Sequence, residues 1–495
     1  MSDMPKSFPH PLYEKYVLKP FYDDAKTYYY EPMLAANKAH TVMLYESGII
    51  TQENASALLS ALKQVEADGL DKLSYQSGVE DLFFAIERRL IELVGPAYGG
   101  NLQLARSRND LGYALTRLAL RPLILESQQY LLAFRRTLLA FAREHLETLM
   151  PGYTHTQPAQ PSTMAHYIAG VLSFLQRDAA RFQFAYDTNN QSPLGAAALT
   201  GTGFPINRQT SADLLGFDAI MASSYDSIGS SDNLTDVGNA LTSLGVNMSR
   251  VVHDMLFWAT QESGAVRIHD SFIQISSIMP QKRNPVVLEH LRARISRMMA
   301  QAQGIALQCH SIPFGDTQDI EDEIFPLIFG GLHTSHDVLD LYEAVVSSLH
   351  VNVEHLRERA MAGFTTVTEL ADTLVREANL PFRQAHSIVS GMVTYALENK
   401  IDPADLNVDI LKQVAQDKIG QSVELSEAVL QQAIDPVAFV AKRVVYGGVA
   451  PSATAEVLDE IEAQLQRDEA QMSSMLDKLS QSDAQLKTKV DEIIS

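Results

Sequence analysis

The chain has 495 residues, of which 46% are hydrophobic and 20% charged, and its formal net charge is -21. This length predicts two to three domains, each with its own core, and the composition excludes a disordered chain. Nucleic acid is excluded as a partner, because binding to a phosphate backbone needs a basic surface and the Lys and Arg residues form no long cluster.

Apolar residues recur at helical spacing along nearly the whole chain. An early example steps by three and four through Val79, Leu82, Phe83, Ile86 and Leu90. Long helices are predicted over the segments 111–149, 162–189, 232–262 and 285–309. Helices of this length favour a bundle over a packing of short helices. We therefore predict an all-α fold around a central bundle of long helices.

Polar residues, glycines and prolines interrupt these helices. Loops are predicted at Pro151-Gly152, Ser192-Pro193, Gly201-Thr202-Gly203 and from Gly264 to Pro285. We place domain boundaries near 110 and 362. The predicted parts are an N-terminal helical domain (1–110), a central helical-bundle domain (111–362) and a C-terminal helical domain (363–495). Beyond 451, apolar residues step by three, four or seven, which predicts a long amphipathic tail helix suited to pairing with another chain.

Several kinds of site have little support in the sequence. The single cysteine, Cys309, excludes an intrachain disulfide and fits a reducing compartment, so we expect a cytoplasmic protein. No segment is apolar enough for a signal peptide or a membrane span. His333 and His336 have a spacing that can hold a metal, but no third ligand accompanies them, and packed histidines are favoured. The stretch 201–203 lacks the third glycine and the lysine of nucleotide-binding loops, so we expect neither metal nor cofactor.

The segment 276–285, which reads SSIMPQKRNP, carries the densest polar chemistry. The hydroxyl of Ser276 can act as a base only if its alkoxide is stabilised, and Lys282 with nearby backbone amides can do so. Lys282 and Asn284 can also hold a carboxylate that becomes doubly charged as the proton next to it leaves. From composition alone, a serine-rich loop that caps the following helix is the alternative.

This segment resembles the signature GSSxMPxKxN of the argininosuccinate lyase and fumarase superfamily. Residues 106–110 read RSRND, and residues 152–161 are similar to the motif GYTHxQxAQP of argininosuccinate lyases. Shorter matches are Glu80-Asp81, Glu87 to Leu90, Pro193-Leu194-Gly195, Gly203 to Ile206, Leu370-Ala371-Asp372, Leu380 to His386 and Tyr446-Gly447-Gly448. The resemblance runs from about residue 33 to 451.

The resemblance implies both architecture and activity. It implies three helical domains, of which the middle one joins three other copies in a homotetramer with active sites shared between chains. It also implies a cofactor-free carbon-nitrogen lyase for a small dicarboxylate substrate, which is split into fumarate and an amine by anti-elimination through an aci-carboxylate.

The resemblance also assigns roles to individual residues. Ser276 takes the beta proton, and Lys282 and Asn284 hold the aci-carboxylate that results. His155 contacts the same dicarboxylate end, and Glu289 positions it. The remaining residues expected to bind substrate are Thr154, Ser107, Arg108, Asn109, Ser277, Met279, Asn37 and Gln318.

Three departures from the family pattern affect the loop and the pocket. Ile275 stands where the signature has glycine, and a β-branched residue resists positive φ angles, so we expect this loop to open and close differently. Leu111 replaces the glutamine that follows RSRND, and Phe83 replaces a histidine. Both changes predict a less polar pocket.

Other departures lie where argininosuccinate lyases hold arginine. Met33 and Asn37 replace the acid and the serine of their DIxGSxAH pattern, and Pro313 and Glu321 replace the tyrosine and a lysine of YNKDLQEDK. We therefore expect an amine other than arginine, such as a diamine or an amino-dicarboxylate adduct similar to those of ethylenediamine-disuccinate lyases. Argininosuccinate lyase proper is the alternative. A non-catalytic, crystallin-like scaffold is disfavoured, because the residues expected to do the chemistry are present.

Overall fold

The computed structural model describes residues 8–78 and 81–495, and this part of the chain is predominantly helical. The all-α prediction is confirmed. The predicted positions Val79 and Glu80 lie outside the described residues. Within those residues, no helix combines the length and the apolar character needed to cross a membrane.

The N-terminal part contains six α-helices in the described residues, besides a π-helical turn at Glu14–Leu18 and 3-10 turns at Leu70–Lys72 and Gly100–Gln103. They are α1 Pro11–Tyr13, α2 Lys19–Tyr28, α3 Tyr30–Glu46, α4 Gln52–Asp68, α5 Leu82–Val94 and α6 Pro96–Gly99. The central part carries the long helices. Its helices are α7 Arg108–Glu144, α8 Met164–Asn189, α9 Arg208–Leu214, α10 Asp226–Gly229, α11 Asp232–Trp258, α12 Val286–Cys309, α13 Gln318–Glu321, α14 Phe325–Ser347 and α15 Val353–Met361.

The C-terminal part follows after 361. Its helices are α16 Val367–Ala378, α17 Phe382–Asn399, α18 Val408–Ile419, α19 Glu427–Ile434, α20 Pro436–Ala441 and the tail helix α21 Pro451–Ile494. Helices α16 to α19 enclose a hydrophobic core of their own. The domain boundaries near 110 and 362 stay predictions, close to the first residue of α7 and to the connection between α15 and α16.

Short strands pair in four two-stranded sheets within the described residues. They are β1 Leu149–Thr154 with β2 Gln157–Thr163, β3 Gln191–Ser192 with β4 Ala219–Ile220, β5 Val266–Arg267 with β8 His350–Val351, and β6 Gln274–Ile275 with β7 Arg283–Asn284. The loop predicted at Pro151-Gly152 is therefore wrong. This segment pairs with β2, and a Cβ at Gly152 would lie 3.0 Å from the carbonyl oxygen of Gln160, so glycine allows the strands to approach.

Five long helices, α7, α8, α11, α12 and α14, form the antiparallel bundle. Arg117 near the beginning of α7 donates to the carbonyl of Thr188 at the end of α8 (2.8 Å), and Asn233 at the beginning of α11 donates to Asn189 (3.3 Å). We call the end where α7, α11 and α14 begin the Arg108 end. The opposite end, where the β1-β2 hairpin lies, is the hairpin end.

The tail helix α21 packs along its own chain, against α7, α8, α4 and α3. Its apolar residues, such as Leu465, are buried there, and Asp468 accepts a hydrogen bond from the fully buried Arg135 (2.7 Å). The predicted pairing of this apolar face with another chain is wrong, because the bundle of the same chain already covers it.

Loss of the Asp468 carboxylate is expected to destabilise the fold. The Asp468→Asn variant leaves the Arg135 guanidinium buried without its counter-charge, which costs about 3 kcal/mol. The matched control is Glu469→Gln, whose partner Arg136 is largely exposed, and its loss should stay within about 0.5 kcal/mol. Urea denaturation followed by circular dichroism measures both. Equal losses in the two variants would contradict a structural role for the buried pair.

Candidate active site

The first candidate segment lies at the Arg108 end, where α7 begins. The Ser107 hydroxyl accepts from the backbone N–H of Asn109 (3.3 Å), and the buried carboxylate of Asp110 accepts from the N–H of Ser107 (2.9 Å). The N–H of Asp110 also donates to the Ser107 hydroxyl, so Ser107 and Asp110 form a capping box. Asp110 also accepts from the N–H of Gly195 (2.9 Å), which holds a neighbouring loop beside the motif. Asp110 is thus structural, and it fixes where Ser107 and Asn109 stand.

Beneath this segment lie buried polar groups that support it. Arg106 is buried and donates to the side-chain oxygen of Gln103 (3.1 Å), and burial lowers its pKa to about 10. The His40 ring contacts the carbonyl of Leu104 (3.0 Å), and burial lowers the pKa of His40 well below its ordinary value. Arg106 and His40 therefore stabilise, from the interior, the turn that precedes α7.

A small cavity opens beside Arg108. Its lining consists of Phe21, Ala25, Tyr29, Met33, Asp81, Leu82, Phe83, Arg108, Leu111, Gly112, Leu115 and Glu321. Met33 and Glu321, which are 288 positions apart in the chain, meet here. Leu111 and Phe83 add apolar wall, as their types predict. The volume of about 30 Å³ holds a water molecule or two, so this cavity is part of a substrate site at most.

Glu321 is the unusual group in this cavity. A Cβ at Gly112 would lie 2.8 Å from its Oε1, so the absence of a side chain on α7 makes room for the carboxylate. Burial, with Asp316 and Asp322 nearby, raises the pKa of Glu321 to about 8. Gln318, which was predicted to bind substrate, donates to Oε2 of Glu321 (2.8 Å).

Arg108 and Asn37 differ in how their polar groups are used. The Arg108 guanidinium pairs with the carboxylate of Asp81 (2.9 Å) and lies 4.7 Å from the ring centroid of Phe84. Asn37 is only 1% exposed, and neither its Nδ2 nor its Oδ1 has a hydrogen-bond partner within residues 8–78 and 81–495. A buried amide without partners is costly, by about 1 to 3 kcal/mol. Such a group suits contact with a water molecule or a ligand.

The second candidate segment is the tip of the β1-β2 hairpin. Thr154 pairs with Gln157, which leaves His155 and Thr156 as a two-residue turn with φ angles of 52° and 64°. Positive φ at both positions marks a turn type that favours glycine and asparagine, and a β-branched threonine resists it. The side chain of His155 is exposed at this tip. The turn therefore holds His155 outward at a cost in backbone strain.

The third candidate segment lies at the same end, between β6 and α12. The Ser276 hydroxyl accepts from the backbone N–H groups of Ile278 (3.4 Å) and Met279 (3.1 Å), which are donors of the kind that stabilise an alkoxide. Asn284 donates to the carbonyl of Gln274 (3.1 Å). Ile275 is in strand β6 and has no positive φ, so replacement of the signature glycine causes no backbone strain in this conformation.

One chain separates the predicted site residues into two groups. Helix α7 has 37 residues and spans about 55 Å, which is the distance between the Arg108 end and the hairpin end. The group at the Arg108 end comprises Asn37, Ser107, Arg108, Asn109 and Gln318. The group at the hairpin end comprises Thr154, His155, Ser276, Ser277, Met279, Lys282, Asn284 and Glu289.

Contacts within the hairpin-end group are also incomplete. Glu289 is exposed in the first turn of α12, and no hydrogen bond joins it to His155 in the described chain. Lys282 and Ser277 are exposed on the loop. Gly112 and Asp316 at the Arg108 end were not predicted from the sequence as site residues. A glycine one helical turn after Arg108 is a signal that could have pointed to a close approach.

Comparisons with known proteins show which family the chain belongs to. The family described as Lyase matches residues 20–300, and the family described as Argininosuccinate lyase C-terminal matches residues 364–441. An argininosuccinate lyase of Methanosarcina acetivorans is 34% identical over 93% of this chain and 92% of its own length. An argininosuccinate lyase 2 of Agrobacterium fabrum is 35% identical over 93% of each chain.

Solved structures of the same superfamily share the fold of this chain. The structure of EDDS lyase in complex with formate has a TM-score of 0.87 and 29% identity, over 98% of this chain and 96% of that one. A class II fumarase from Schistosoma mansoni has a TM-score of 0.67 and 16% identity, over 85% of this chain and 91% of that one. At that identity the fumarase shares the fold alone.

Replacing Thr156 in the hairpin turn is expected to stabilise the protein. Asparagine tolerates the φ of 64° better than threonine, so Thr156→Asn should raise the free energy of unfolding by about 1 kcal/mol. Thr154→Asn, two residues earlier in extended backbone, is the control and should bring no gain. Thermal denaturation of the two variants checks this. A loss of stability in Thr156→Asn would contradict strain at the turn.

Proposed function

The chain belongs to the argininosuccinate lyase-like branch of the fumarase and aspartase superfamily, and we propose that its substrate is an N-substituted aspartate whose amine is not arginine. As a member of that family, it is a carbon-nitrogen lyase that releases fumarate. The observation that carries this proposal is the half-buried carboxyl of Glu321 beside Met33 in the cavity at the Arg108 end. The fumarate half of the site keeps the family's residue types, whereas the amine half has changed.

The proposed chemistry at the fumarate half uses residues of the signature loop. The Ser276 oxygen removes the proton from the carbon next to a substrate carboxylate, and the electron pair moves into that carboxylate. Lys282 and Asn284 stabilise the doubly negative aci-carboxylate. The pair then forms the double bond of fumarate while the bond from carbon to nitrogen breaks. The nitrogen of the ammonium form of the substrate keeps the electrons of that bond, and the amine leaves as a neutral molecule. Atoms and electrons balance without a redox cofactor.

We further propose that each active site is shared between copies in a homotetramer. The support is geometric, since about 55 Å separates the two residue groups in one chain and no dicarboxylate spans that distance. Two chains packed antiparallel would bring the Arg108 end of one beside the hairpin end of the other. The exposed tip with His155 and the exposed loop with Ser276 both suit such contacts, and Glu289 would then position the His155 of another copy.

At the amine half, the charges favour a cation. Asp81, Asp316 and Asp322 surround Glu321, and Arg108 is the nearby positive group that lowers its pKa. A positively charged nitrogen would ionise Glu321 and pair with it in an apolar setting, whereas a carboxylate would meet repulsion. A diamine adduct of fumarate therefore fits better than a substrate whose amine part carries a free carboxylate.

Argininosuccinate lyase proper is the second candidate, and a specific observation favours it. Relatives with that name are about 34% identical across more than nine-tenths of this chain. Gln318, which donates to Glu321, is the group that would rebuild an arginine site, whereas Lys38 on α3 pairs with Glu66 (2.8 Å). In that case an α-ammonium rather than a second amine would pair with Glu321.

Substrate preference decides between the two candidates. We expect the fumarate adduct of ethylenediamine to exceed argininosuccinate in kcat/KM by about tenfold to a hundredfold, because a charge-assisted hydrogen bond contributes about 1.5 to 3 kcal/mol. Glu321→Gln should remove most of this preference, and the exposed Glu323→Gln is the matched control.

Since the pKa of Glu321 is about 8, raising the pH from 7 to 9 ionises it and should lower KM for the cationic substrate in the parent but not in Glu321→Gln.

Absorbance of fumarate measures these rates. If argininosuccinate were the best substrate by a wide margin, the proposal of another amine would fall, and the lyase reaction would stand.

Complementation between inactive variants tests the shared site. Ser276→Ala and His155→Asn should each lose a factor of at least about 10² in kcat. If loop and hairpin of one site come from different chains, a random equal mixture restores about a quarter of the sites. Mixing Ser276→Ala with Lys282→Met is the control, because both changes lie in one loop and no site regains both residues. Absence of rescue in the first mixture after confirmed subunit exchange would exclude a site whose loop and hairpin come from different chains.

A further inference from the structure

A second polar cleft lies in the C-terminal part, far from the signature loop in sequence. It has a volume of about 610 Å³ and lies between α16, α19 and the segment that follows α20. Its lining consists of Glu369, Asp372, Thr373, Arg376, Glu377, Val429, Gln432, Lys442 and Arg443. Small-ligand sites have volumes of about 300 to 1,000 Å³. None of the residues proposed for fumarate release lines this cleft.

Helix α16 supplies the first wall. Leu370, Ala371 and Leu374 are buried in the core of the C-terminal part. This packing leaves Asp372 and Arg376, which are one helical turn apart, exposed on the side that lines the cleft. The segment Leu370-Ala371-Asp372 has no role in the proposed reaction. Its first two residues pack in the core, and Asp372 lines the cleft.

A buried carboxylate arranges the cations of the cleft. Glu369 is 3% exposed and binds Arg376 (2.6 Å), Lys442 (3.2 Å) and Arg443 (3.3 Å). Burial opposes its ionisation, yet hydrogen bonds from Lys442 and Arg376 hold the pKa of Glu369 below its ordinary value. The carboxylate therefore stays charged and fixes three cationic groups around one point. Arg376 and Lys442 remain about half and one-third exposed toward the cleft.

The opposite wall depends on a glycine turn after α20. Gly447 has a φ of 75°, and a Cβ at Gly448 would lie 2.3 Å from the carbonyl oxygen of Arg443. The N–H of Ala450 donates to the same oxygen (3.2 Å). Only glycine at 448 lets the chain close this tightly, and the closure holds Arg443 against Glu369. The segment Tyr446-Gly447-Gly448 thus also serves this cleft.

The charges in the lining balance. Three cations, Arg376, Lys442 and Arg443, face three carboxylates, Glu369, Asp372 and Glu377. A simple anion or cation would gain attraction from one set and repulsion from the other, whereas a small ligand with both charges gains from both. We propose that this cleft binds a free α-amino acid as a zwitterion. Its carboxylate pairs with Arg376 and Lys442, and its ammonium pairs with Asp372 and Glu377.

Calorimetric titration of the full-length protein tests this site. The probes are L-alanine, L-glutamine and L-leucine, with propionate and ethylamine as ligands that carry only one of the two charges. We expect saturable binding of at least one amino acid with one site per chain, and binding of propionate and ethylamine at least about tenfold weaker. Ser276→Ala should bind as the parent does, because the cleft is separate from the reaction.

Variants locate the site within the cleft. Arg376→Gln and Asp372→Asn should each weaken binding by about tenfold to a hundredfold, and both positions are exposed, so the fold should persist. Lys412→Met is the control, since Lys412 pairs with Glu424 outside the cleft (3.2 Å). The proposal is overturned if none of the three amino acids binds, if propionate binds as tightly as the best of them, or if both cleft variants bind like the parent.

Discussion

The length of helix α7 constrains everything else in this protein. Its 37 residues begin within the RSRND segment (106–110) and end shortly before the hairpin with His155, about 55 Å away. A rigid helix cannot bring its own ends together. Under the proposed shared site, chemistry that needs both segments is assembled from more than one copy, and the exposed hairpin tip and signature loop suit that assembly. The tail helix α21 braces this long bundle from the same chain.

In the proposed reaction, reactivity and selectivity lie on different elements. The proposed base and the groups that stabilise negative charge are on loops at the hairpin end, where backbone N–H groups already point at the Ser276 oxygen. The charge that would select the amine is at the Arg108 end, on a short helix packed against Gly112. Changes such as Met33 or Glu321 can alter the amine without touching the elimination itself.

Buried charge has two contrasting uses in the molecule. Glu369 is compensated by three cations, which hold its pKa low and make it a structural anchor. Glu321 has carboxylates as neighbours, and burial keeps its pKa high. A carboxylate that is paired with cations stabilises a rigid arrangement, whereas a carboxyl group that lacks such pairing can bind a cationic ligand. The two proposed sites would thus recognise charge by different means. The C-terminal cleft offers both positive and negative groups to a ligand, whereas the Arg108 end offers the carboxyl group of Glu321 to a cation.

The sequence by itself determined the helical class, four of the five long helices of the bundle and the residue types of the signature loop, because helical periodicity and residue type are local properties. It could not determine that Pro151-Gly152 forms a strand, that Ile275 is extended without strain, or that α21 packs on its own chain. Each of these depends on a partner segment distant in sequence. The same holds for the meeting of Met33, Gly112 and Glu321, which only the packing of α3, α7 and α13 brings about. Long-range contacts decide which groups face one another, and no local pattern encodes that choice.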